Sequence, residues 1–117
     1  MSKSIVREKS KDFAVHLYQY LKETKKEFVM SKQLLRSGTS IGANLSEQEF
    51  AISDADYLSK TSIALKEGAE TIYWLELLFK TEYLTEKEYN AINNDCKEIV
   101  SMLVQSVKTN KERLNRV

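Results

Sequence analysis

Proline is absent from these 117 residues, and glycine occurs three times. A chain with so little turn material favours a few long helices over many short strands. The single cysteine, Cys96, leaves no partner for an internal disulfide and fits a reducing compartment. The surplus charge is one positive unit, too small to hold a polyanion by bulk attraction. No apolar run reaches the roughly 18 residues of a membrane span. The N-terminal Met-Ser-Lys-Ser lacks the apolar stretch of a signal peptide. These absences lead us to expect a cytoplasmic protein with no membrane partner.

What is present is ordinary for one folded domain: 42% hydrophobic and 30% charged residues, with one hydrophobic core over residues 1–117. Four amphipathic segments carry that core. The first runs from about Ser4 to Thr24 with a seam of Val6, Ser10, Phe13, Leu17 and Tyr20. The second runs from about Phe28 to Ile52 along Ser31, Leu34, Gly38, Ile41, Leu45 and Ile52. Gly38 and Gly42 each cost a helix about 1 kcal/mol relative to alanine, so a neighbouring backbone is expected close by.

The third segment starts near Ser53, a side chain suited to an N-cap, with Asp54 and Asp56 in the first turn. Its seam is Leu58, Thr61, Leu65, Gly68, Ile72, Leu75 and Phe79, and it breaks around Thr81 to Leu84. Thr85 and Glu88 have capping-box spacing and open the fourth segment. Tyr89, Ile92, Cys96, Ile99, Leu103 and Ser106 form its seam, which is expected to end before the polar Asn110, with fraying from Lys111 onward. Short connections force antiparallel neighbours, so the fold class is all-α: an antiparallel up-down-up-down four-helix bundle.

Catalytic patterns are missing. A di-iron bundle needs Glu-x-x-His pairs, whereas this chain has one histidine, His16, with Phe13 three positions before it. One His and one Cys on different helices leave a zinc site two ligands short. Cys96 lies on a core seam, where a thiol behaves as a small hydrophobe. Arg7 and His16 stand too far apart for the Arg-His pattern of some helical ribonucleases. The glycines lie inside helices and form no phosphate loop. No cofactor is expected, and an enzyme is not.

The third segment has a second apolar stripe. Ile63, Trp74 and Leu77 fall nearly opposite the seam, among Glu67 and Glu70. A helix apolar on two faces is usually buried on both, so contact with another subunit is expected. Arg36, Ser40, Ala43 and Glu47 form a matching outer line on the second segment. A hairpin turning near Ser53 sets Arg36 level with Glu70, and Glu47 close to Lys60, so two cross-helix ion pairs are possible.

The chain termini share a pole that gathers Lys3, Arg7, Lys9, Lys11, Lys108, Lys111, Arg113 and Arg116. Such a pole can touch the phosphates of RNA or DNA. Glu47, Glu49, Asp54 and Asp56 at the same end oppose that field, and aromatic interleaving for base stacking is weak.

Leu34 to Glu47 reads Leu-Leu-Arg-Ser-Gly-Thr-Ser-Ile-Gly-Ala-Asn-Leu-Ser-Glu, and Ser62 to Leu78 reads Ser-Ile-Ala-Leu-Lys-Glu-Gly-Ala-Glu-Thr-Ile-Tyr-Trp-Leu-Glu-Leu-Leu. Together these blocks resemble the four-helix-bundle proteins encoded in intervening sequences of large-subunit (23S) ribosomal RNA genes. The resemblance implies an antiparallel bundle assembling into rings, as pentamers, with no assigned catalytic residues. It also implies similarity to the accessory protein of diversity-generating retroelements, which partners a reverse transcriptase and binds nucleic acid. Family signature positions fall at Arg36, Ser40, Ile41, Asn44, Glu47, Lys66, Glu67, Glu70 and Trp74. Several coincide with the outer line drawn above.

Overall fold

The computed structural model describes residues 4–23 and 27–115. Four helices hold nearly all of them: α1 (Ile5–Glu23), α2 (Val29–Gln48), α3 (Asp54–Lys80) and α4 (Glu86–Asn115). Neighbours run antiparallel, because one residue number falls as its partner's rises. Arg36 meets Glu70 and Glu47 meets Lys60 across α2 and α3. Arg7 meets Gln48 and Leu17 abuts Gly38 across α1 and α2. Cys96 faces Gly68 and Tyr89 stacks on Phe79 across α3 and α4. α1 and α3 each pack on α2 and α4, while the diagonal pairs lie further apart. The result is a square bundle of 51 × 23 × 22 Å.

The seams meet along the bundle axis. Leu34, Ile41 and Leu45 from α2, Leu75 and Leu78 from α3, and Cys96 and Leu103 from α4 are fully buried; Phe13 and Leu17 close the core from α1. Each well-packed side chain of this size contributes about 1.5–3 kcal/mol. Gly38 leaves room for Leu17, whose methyl would collide with a Cβ there. Gly68 does the same for Val100, 2.7 Å from the position a Cβ would take.

Local chemistry starts and stops the helices. The Glu27 carboxylate accepts the free N–H groups of Val29 and Met30 at 2.9 Å and of Ser31 at 2.7 Å. Partial burial pushes this carboxyl up, but the backbone N–H groups of Met30, Ser31 and Val29 outweigh it and hold it below the usual carboxylate range. Ser53 Oγ accepts from Asp56 N–H at 3.0 Å, as an N-cap should. Thr85 and Glu88 form the expected reciprocal capping box, at 3.1 and 2.9 Å. α3 stops in a Schellman turn: Tyr83 N–H reaches Leu78 O and Glu82 N–H reaches Phe79 O, with Glu82 left-handed at φ 64°.

Five expectations need correction. α2 ends at Gln48 rather than continuing to Ile52, and Ile52 is exposed instead of belonging to the seam. The core face of α3 is rotated toward α2: Ala64, Thr71 and Leu78 take the buried places read for Leu65, Ile72 and Phe79, which are half-buried. Thr71 is tolerated there because its hydroxyl reaches Ser37 Oγ at 3.0 Å and Glu67 O at 2.8 Å. The α4 seam does not stop before Asn110, which is buried, and the helix continues through Asn115.

Candidate functional site

The two cross-helix ion pairs are formed. Arg36 on α2 spans to Glu70 and, at 3.4 Å, to Glu67 on α3. Lys60 meets Glu47 at 3.2 Å. Glu70 also accepts the Trp74 indole N–H at 2.9 Å. This places the second stripe on the α2 flank of α3. Trp74 is half-buried and packs against the protomer's own core; Ile63 and Leu77 are also half-buried. Ser40 is half-buried, its hydroxyl donating to Arg36 O at 2.6 Å. Ala43 and Glu47 are exposed, with Ala43 turned toward α1.

The basic residues separate into four groups. Lys3 and Arg116 lie outside the described residues. Arg7 turns inward, donating from Nε to Leu45 O at 3.0 Å and from Nη2 to Gln48 Oε1 at 2.7 Å. Gln48 passes the chain of bonds to Thr61 Oγ1 at 2.5 Å, and Asn110 Nδ2 joins the same oxygen at 3.2 Å. The Thr61 hydroxyl donates to Tyr57 O at 2.8 Å. One polar layer therefore links all four helices, and Arg7 belongs to it rather than to a free basic surface. Lys9 pairs with Glu98 at 3.2 Å. Lys11, Lys108, Lys111 and Arg113 are exposed, without an ion pair among the described residues.

Sequence reasoning missed a groove between α1 and α2. It holds about 1020 Å³ and runs from Ser4 and Phe50 at one end to Ala14 and Thr39 at the other. Ala14, Gly42, Ala43 and Ser46 keep it open because their side chains are small or absent. Beside it, the turn between α2 and α3 exposes Phe50 by 79% and Ile52 by 92%. The available signal was two large apolar residues flanking a turn, outside any helical seam.

Reactive groups offer little. Cys96 is buried, its Sγ 3.7 Å from Gly68 O, and burial, followed by the nearby Asp95 charge, pushes the thiol up to about 12. His16 is exposed beside Asp12, Asp95 and Glu98 at a small groove between α1 and α4. Among the described residues, no three His, Cys, Asp or Glu side chains converge as a metal site. No described helix is long and apolar enough to cross a membrane.

The model for the 23S rRNA-intervening sequence protein family matches residues 2–105. The chain belongs to that family. Among solved structures, the chain is similar to a protein of unknown function from the S23 ribosomal protein family of Bacteroides thetaiotaomicron VPI-5482. The two share 54% sequence identity with a TM-score of 0.86, over 89% of this chain and 99% of that one. No curated protein matches this intervening sequence protein.

Proposed function

We propose that this intervening sequence protein is a non-catalytic interaction module that assembles with copies of itself into a closed ring, a pentamer by family likeness. The observation carrying this reading is the uncovered pair Phe50 and Ile52 beside the α1–α2 groove. Large apolar side chains grouped next to a recess are characteristic of surfaces that are covered by a partner. The outer face of α2 and α3 supports the reading less directly, because Trp74 and Glu70 already satisfy each other within one protomer. Sedimentation velocity tests the proposal: a species several times 13.5 kDa is expected. A single 13.5 kDa species at every concentration up to the solubility limit would falsify it.

A second reading, an RNA- or DNA-binding accessory role, draws on the exposed Lys108, Lys111 and Arg113 near the end of α4, with Lys11 on α1. With Arg7 bonded inside the bundle and Lys9 paired, fewer cations remain to meet phosphates. Binding to structured RNA should weaken steeply as salt rises and vanish on reversing Lys108, Lys111 and Arg113. No retention of RNA at low salt would eliminate this reading.

A further inference from the structure

We infer that the α1–α2 groove is the seat for the Phe50–Ile52 turn of a second copy of this chain. The inference rests on the self-association proposed above and adds which surfaces meet.

The turn is rigid before any partner arrives. Phe50 N–H donates to Glu47 O at 3.0 Å and Ala51 N–H to Gln48 O at 3.1 Å. Ile52 N–H is held by Asp56 Oδ2 at 3.1 Å, and Ser53 caps the helix that follows. Two bare apolar side chains are thus presented without the ordering cost that a loose loop would carry into a complex. An exposed aromatic on a preorganised support is the type of group that dominates binding energy at interfaces.

The groove is shaped to receive it. Its middle is lined by Ala14, Gly42 and Ala43, where a phenyl ring finds space next to helix backbone. Charge complements the fit. Glu49 and Asp54 flank the turn, and both are exposed. At the end of the groove nearest the protomer's own turn, Glu8 and Glu49 stand with Arg7, whose guanidinium is bonded to the neutral oxygens of Leu45 and Gln48. Lys11 stands further along the wall, exposed and without an ion pair among the described residues. The acids flanking the incoming turn therefore meet Arg7 and Lys11 along the α1 wall of the groove.

The turn projects from one end of the groove and seats toward the other, and in this heterologous arrangement giver and receiver are different neighbours. Each copy inserts its turn into one neighbour and receives the turn of another. Repetition about an axis that closes produces a ring with no projection left uncovered.

Two variants at exposed positions isolate the two surfaces. Ile52→Glu, at a residue that does not line the groove, spoils the projection; Ala43→Trp fills the seat. Both should keep the helical circular dichroism of the wild type and sediment at 13.5 kDa. Mixed in equal amounts, they should form a two-chain complex and nothing larger, because each contributes one intact surface. If the wild type assembles and either variant retains its mass, or the mixture stays at 13.5 kDa, the seat assignment is wrong and self-association stands. A wild type that never exceeds 13.5 kDa removes both.

Discussion

Arg36 and the Trp74 indole converge on one oxygen of Glu70, which joins α2 to α3 and fixes the ring at the same time. Exposed ion pairs contribute about 0–1 kcal/mol, but removing the acceptor of a half-buried donor adds its desolvation penalty. Glu70→Ala should therefore cost about 1–2 kcal/mol in urea unfolding. Glu47→Ala, which only frees Lys60, should cost less than about 0.5 kcal/mol. Trp74 fluorescence should change in the first variant and not in the second. Equal costs would mean that the indole bond contributes nothing.

The Thr61 hydroxyl is the acceptor for both Gln48 and Asn110. Thr61→Val keeps the shape and strands two buried amide donors, a loss of about 2–3 kcal/mol. Thr61→Ser retains the oxygen and should cost less than half as much in the same denaturation experiment. A valine variant as stable as the serine variant would show the layer to be energetically idle.

Two glycines of α2 should respond in opposite directions to alanine. A Cβ on Gly42 comes no nearer than 3.6 Å to Ser10 O, which is ordinary contact, so Gly42→Ala should stabilise by about 0.5–1 kcal/mol. Gly38→Ala drives a methyl into the buried Leu17 and should destabilise by about 1–3 kcal/mol. Thermal melts of the two variants, expected to shift in opposite directions, make the comparison.

Glu27 ties α2 to acidity. Its carboxyl is held below its ordinary value in the folded chain, so the ionised form favours folding. That contribution is complete above the unfolded value and fades as pH falls through the lower, folded one. Glu27→Gln should cost about 1 kcal/mol near neutral pH, as loss of an N-cap does, and the gap to wild type should narrow toward pH ~3. A gap that is constant with pH would assign the effect to packing.

The parts of this molecule that follow from local spacing were legible. Heptad steps located four helices, Thr85 and Glu88 their capping box, and equal distance from the Ser53 turn the Arg36–Glu70 and Glu47–Lys60 pairs. What escaped depends on partners distant in the chain. Asn110 read as polar and therefore outside the core, because Thr61, which satisfies it, lies 49 positions away. Arg7 read as surface charge for the same reason. The phase of α3 slipped because Leu65 and Ile72 outrank Ala64 and Thr71 in hydrophobicity, whereas burial followed closeness to α2. The groove escaped because small residues on two helices give no periodic signal.

The layer around Thr61 has a further consequence. Its hydroxyl offers one proton and two lone pairs, and all three are taken by groups on three different helices. Leucine ridges can slide past one another by a turn of about 5.4 Å and still find leucines. Thr61 cannot: a shift of α2 or α4 relative to α3 leaves an amide dry and unbonded. The layer thus works as a vernier, admitting one alignment of the helices and holding Phe50 at a fixed height relative to the groove.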